Sequence, residues 1–241
     1  MENRAVLAEV SIPRQFNGPL DSGNGGYCAG VFAALLDGPA AVNLRRPIPL
    51  DQPLDVVAVG AGIEIRQGET LIAEVDPAAP LDLELPAPVD AEAARLAVAG
   101  YRGAGEGTFS RCFVCGRGRE DALGVFAGPV PGRDLVASPW TPPDWTAGGD
   151  GAVAPELVSA VLDCPAVFAS FLDDPDAEPA AFLVRFRTDL RAPVTVGAEH
   201  VVIGWPLARD DRKLRSASAI LDAGGETLAV AEALMIEPRP E

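Results

Sequence analysis

The chain has 241 residues and a formal net charge of −16, from 35 acidic and 19 basic side chains. A nucleic-acid backbone or an anionic membrane surface is attracted by a basic protein face, so both are excluded as partners on charge. With 48% hydrophobic and 22% charged residues the composition is globular, and 25 glycines and 23 prolines point to a sheet-rich fold with many turns.

The opening segment MENRAVLAEVSIP lacks the basic start and long apolar run of a secretory signal, which predicts a cytoplasmic protein. The longest uncharged apolar stretch, 22–36, is too short and too glycine-rich to span a bilayer. Within it, 25–36 is apolar nearly all round and stops at Asp37-Gly38-Pro39, so it reads as a helix wrapped by other structure. Alternating segments at 56–59, 63–66 and 71–75 read as antiparallel strands. Residues 77–110 are rich in proline and alanine and read as a surface linker, with one short helix over 90–100. Residues 123–126 and 135–139 predict a first hairpin of a second unit. A second buried helix follows at 154–163, opened by Pro155 and Glu156, and strands are expected at 182–186, 201–203, 214–221 and 228–236.

An internal repeat ties the halves together. Gly68-Glu69-Thr70-Leu71 returns as Gly225-Glu226-Thr227-Leu228, each time within a strand, turn, strand pattern behind an apolar helix. Further upstream, Pro47-Ile48-Pro49-Leu50 matches Pro193-Val194-Thr195-Val196.

The order strand, enclosed apolar helix, antiparallel meander, repeated once, resembles the double hotdog fold of the acyl-CoA thioesterase superfamily. The segment 18–27, with Asn24-Gly25-Gly26-Tyr27, looks like the helix entry of thioesterase-like proteins, and Arg212-Lys213-Leu214 with 217–222 and Gly225 resembles the last hairpin of that family. The resemblance implies an α+β tandem double hotdog, two antiparallel sheets each wrapped around a buried central helix. Its N-terminal unit is expected at 1–76, its linker at 77–111 and its C-terminal unit at 112–241. It also implies an acyl thioester substrate, carried by coenzyme A or an acyl carrier protein and bound between the halves. The Gly25, Gly26 and Tyr27 amides would hold the thioester oxygen and Asp163 would activate water. The run 157–163 is similar to the apolar run ending in Asp of medium-chain acyl-CoA thioesterases. Those enzymes place a Thr and a Gln at positions that fall near Phe182 and Leu234 here, and neither side chain can hydrogen-bond a water.

The chemistry needs a base and donors for the developing oxyanion. Asp163 has the apolar neighbours Leu162, Cys164, Pro165 and Val167, so burial should raise its pKa, although a residue shortly before a proline also reads as a helix end. Asn24 is an N-cap candidate beside the substrate, and Glu156 is the second carboxylate, in a first helical turn where the dipole favours it. Arg209, Arg212, Lys213 and Arg215 form the densest basic cluster, with Arg212 and Lys213 as candidates for the coenzyme phosphates. Cys112 and Cys115 form a Cys-x-x-Cys-Gly motif without a second close pair, so no metal is expected and the four cysteines read as free thiols. His200, the only histidine, reads as a half-exposed strand residue away from any nucleophile motif. The expected function is therefore thioester hydrolysis without a cofactor, and the resemblance implies further assembly into a homo-oligomer. A non-hydrolytic acyl-thioester binding protein or a cyclase-like biosynthetic enzyme with a degenerate site stays open as the alternative.

Overall fold

A computed structural model describes residues 6–103, 107 and 109–239; the outermost residues of the two expected units, and 104–106 and 108 of the expected linker, lie outside these. The strands run β1 Val6–Val10, β2 Ala40–Leu44, β3 Leu54–Val59, β4 Gly62–Gln67, β5 Thr70–Pro77, β6 Gly128–Pro129, β7 Val136–Trp140, β8 Phe182–Leu190, β9 His200–Asp210, β10 Lys213–Leu221 and β11 Thr227–Ile236. The helices are α1 Gly25–Ala33, α2 Ala91–Ala97 and α3 Pro155–Ala169. All strands join in one eleven-stranded sheet in the order β1-β3-β4-β5-β2-β8-β11-β10-β9-β7-β6, and every named pair is antiparallel.

The single sheet corrects the expectation of two. β2 and β8 would each present an unpaired edge, and they meet with Ala41 opposite Arg187, Val42 opposite Phe186 and Asn43 opposite Arg185. Pairing them satisfies two rows of backbone groups that would otherwise template aggregation. The repeated Gly-Glu-Thr-Leu segments occupy equivalent places. Gly68 and Gly225 both have positive φ, at the turns that lead into β5 and β11.

One face of the sheet packs on α1 and α3, which also pack on each other. Both helices are buried over most of their length, as the absence of a polar face requires. Their contact is close because glycine lines it: a methyl on Gly30 would stand 2.7 Å from Glu156 Cα, and one on Gly26 would stand 2.5 Å from Asp163 Cβ. α3 does not end before Pro165. It continues to Ala169, with Asp163 in its interior. The sheet holds this proline-bearing stretch: Ser218 Oγ donates to the Leu162 carbonyl at 2.6 Å, and Gly204 in β9 leaves room for the Pro165 carbonyl.

Residues 81–97 do more than cross the surface. Leu81, Val89, Ala94 and Ala97 are buried against Val201, Ile203, Trp205 and Ala217, so this segment with α2 covers the sheet face opposite α3. Asp90 caps α2 by accepting from the Ala93 N–H at 2.8 Å. Residues 123–126 form no hairpin strand, and Gly124 among them has positive φ. Instead the Leu123 and Val125 N–H groups donate to the carbonyls of Phe113 and Val114, which seats this segment on the cysteine loop. No helix among the described residues is long and apolar enough to cross a membrane.

Candidate functional site

Asn24 accepts from the Tyr27 N–H at 2.9 Å through Oδ1 and so starts α1 at Gly25. The Gly26 N–H points across to α3 and donates to Asp163 Oδ2 at 2.9 Å. The first intrahelical bond is made by the Cys28 N–H to the Asn24 carbonyl. Of the amides expected to face a thioester oxygen, those of Gly26 and Tyr27 are thus already committed. The Gly25 N–H has no acceptor among the described residues. The Tyr27 ring stacks on Phe16 at 4.0 Å and meets Phe113 edge-on at 5.7 Å, so its side chain anchors the cysteine loop rather than facing a ligand.

Gly25, Asn24 and Asp163 share the wall of a cavity of about 870 Å³, whose lining is mainly apolar and is drawn from both halves of the sheet. A volume of this order suits a sizeable organic ligand. Asp163 is 6% exposed. Burial pushes its carboxyl up to about 7, with the Cys112 thiol acting in the same direction, while the Gly26 N–H and the Asn24 side chain favour the charged form.

Gly26 and Tyr27 are outside the cavity lining, and three more of the expected residues lie elsewhere. Glu156 sits in the first turn of α3 against Gly30, outside the cavity lining. Arg212 and Lys213 lie at the β9–β10 turn, also outside that lining, and the Arg212 guanidinium donates to the Glu237 carbonyl. The basic residues that do line the cavity are Arg45 and Arg46, at the end of β2. Arg45 pairs with Glu74, whereas the exposed Arg46 guanidinium has no partner among the described residues. A dipeptide of two arginines beside prolines gives no periodic signal, which is why they escape a reading of the sequence. Phe182 lines the cavity and Leu234 does not.

Three of the four thiols come together. Cys164, next to Asp163 on α3, meets the Cys112-Phe113-Val114-Cys115-Gly116 loop, and the sulfurs of Cys112, Cys115 and Cys164 all lie within 4.8 Å of one another. Cys28 is buried separately, and burial beside the Asp163 charge pushes its thiol up. His200 is also buried rather than half-exposed. Its Nε2 lies 2.9 Å from the Thr195 carbonyl, and its ring is beside Trp140, away from the cavity lining.

No protein-family model and no curated protein matches the chain. Among solved structures, the tesB protein of Mycobacterium avium subspecies paratuberculosis superposes over 98% of this chain and 96% of its own, with a TM-score of 0.57 at 13% identity. A protein of unknown function with a hotdog fold from Alicyclobacillus acidocaldarius covers 100% of this chain and 96% of its own, with a TM-score of 0.55 at 12% identity. The chain has the hotdog fold. A further match, a thioesterase superfamily protein 20% identical, aligns with 58% of this chain at a TM-score of 0.48. The chain covers 66% of that structure, just under two thirds of its length. In this hotdog architecture the candidate site lies where the α1 entry, the middle of α3 and the end of the β2–β8 seam converge.

Proposed function

We propose that this hotdog protein hydrolyses an acyl thioester, with Asp163 as general base. The observation that carries the reading is the Asp163 carboxylate in the cavity wall, oriented by the Gly26 N–H and adjacent to the unused Gly25 N–H. In the proposed step a water oxygen attacks the thioester carbonyl carbon while Asp163 takes its proton. The Gly25 N–H at the start of α1 is the donor for the oxyanion, a role suited to a helix N-terminus. The carbon–sulfur bond then breaks, and the proton held by Asp163 passes to the departing thiolate. A coenzyme A thioester is the substrate class favoured here, because Arg45 and Arg46 bring positive charge to the cavity of an otherwise acidic chain. They replace Arg212 and Lys213 in that role.

A second reading is an acyl-thioester binding protein without hydrolysis. It is favoured by Phe182, an apolar wall residue near the position where the resembling thioesterases place a water-binding side chain. Thiol release measured across a panel of acyl-CoA esters separates the two. Turnover that is lost in Asp163→Asn supports the hydrolase. Saturable acyl-CoA binding with no thiol release on any ester overturns the hydrolase and supports the second reading.

A further inference from the structure

The strongest unassigned feature is the group of three thiols in the cavity wall. Cys112, Cys115 and Cys164 are each buried and each line the cavity, and they come from two distant parts of the chain. Cys112 Sγ and Cys164 Sγ are 3.9 Å apart. A tetrahedral zinc with sulfur bonds of about 2.3 Å separates neighbouring sulfurs by about 3.8 Å. The spacing therefore fits ligands around one small ion.

The loop that presents two of the three is built tightly. The Gly116 N–H donates to the Cys112 carbonyl at 2.8 Å, and a methyl on Gly116 would stand 2.6 Å from that oxygen and 2.7 Å from the Ser110 carbonyl. Only glycine closes this turn without displacing the backbone. The Val114 N–H donates to Cys112 Sγ at 3.5 Å, and the Asn24 side-chain amide reaches the same sulfur at 3.8 Å. Donors aimed at a sulfur favour its thiolate form, the form that binds metals. The loop is further fixed by the Tyr101 hydroxyl on the Cys115 carbonyl and by Phe113 packed against Phe16 and Tyr27.

We propose that Cys112, Cys115 and Cys164 bind one thiophilic divalent cation, Zn²⁺, with its fourth coordination position open to the cavity. Thiolate donor sets select soft or borderline ions over magnesium and calcium. Three protein ligands with one open position distinguish zinc sites that exchange a ligand from closed structural ones. Binding displaces the protons of the coordinating thiols and leaves the fourth position for a water or for a sulfur of the cavity's occupant. The inference concerns metal binding and does not rest on the hydrolase reading.

The test uses the full chain purified without chelator. Elemental analysis should find about one zinc per chain, and the metal-free protein should take up one equivalent of Co²⁺ with the thiolate charge-transfer and intense visible bands of a tetrahedral thiolate site. Adding Zn²⁺ should erase those bands. Cys115→Ser should lose the zinc and the cobalt spectrum, and Cys28→Ser should keep both. The wild type carries the decision if a variant fails to fold. A folded wild-type chain that neither retains zinc nor develops the cobalt spectrum overturns the proposal, as does a Cys112–Cys164 disulfide in the protein as isolated under reducing conditions. Retention of stoichiometric zinc in both Cys115→Ser and Cys164→Ser also overturns it. An inert protein that binds zinc contradicts only the hydrolase reading, and an active protein that binds none contradicts only this one.

Discussion

The Gly26 N–H and the Asp163 carboxylate are joined at 2.9 Å across the contact between the two buried helices. One hydrogen bond thus sets both the spacing of α1 against α3 and the orientation of the carboxylate in the cavity wall. The spacing depends on the missing side chain at position 26, where a methyl would also stand 2.6 Å from the Ser159 carbonyl.

Gly26→Ala should therefore overpack the helix contact and lower stability by about 1–3 kcal/mol. Gly149→Ala is the comparison, since a methyl there meets nothing within 4 Å, and it should stay within about 0.5 kcal/mol of the parent. Urea unfolding of the two variants checks this. Equal midpoints would show that α1 and α3 yield at no cost.

Asp163→Asn keeps the shape of the side chain and removes the base. On the hydrolase reading kcat should fall by about 10² to 10⁴-fold, the usual worth of a positioned base. Glu156→Gln should change kcat little, because Glu156 lies outside the cavity lining. Steady-state kinetics on the best acyl-CoA ester decide it, and comparable losses in both variants would remove Asp163 from its assigned role.

Arg46→Ala should raise KM for coenzyme A esters and leave short thioesters that lack the nucleotide unaffected, since only the former carry phosphates. Arg212→Ala with Lys213→Ala should leave both KM values alone, given the position of that turn outside the cavity lining. A KM effect confined to the 212–213 double variant would return the phosphate site to the hairpin.

What could be read from the sequence was local. The Asn24 cap, the glycines after it and the all-apolar character of both helices are set within a few residues, and so were visible. The repeated turn at Gly68 and Gly225 was visible because positive φ there requires a particular residue type. What escaped was made by pairing across the chain. The β2–β8 seam turns two expected sheets into one, and it also carries Arg45, Arg46 and Phe182 to the cavity. Cys164 reaches Cys112 only because α3 runs on through Pro165, a course that the local cost of proline argues against. The tertiary compensation is specific: Ser218 and Gly204 meet that stretch of helix from the sheet.

That compensation gives a last prediction. Gly204 and Ser218 stand directly opposite each other on β9 and β10, and both face the proline-bearing stretch of α3. A methyl on Gly204 would lie 2.4 Å from the Pro165 carbonyl, so Gly204→Ala must push the helix outward, at a cost of about 1–3 kcal/mol. Ser218 is fully buried, and Ser218→Ala removes its bond to the Leu162 carbonyl at a cost of about 0.5–1.5 kcal/mol. The two effects should not add. Once the helix has moved away from Gly204→Ala the 2.6 Å bond from Ser218 is already stretched, so losing the hydroxyl costs less. The double variant should be more stable than the sum of the singles implies by about 0.5 kcal/mol or more. Urea unfolding of the four proteins with unchanged m-values measures the coupling, and additivity would mean that α3 passes Pro165 without leaning on this pair.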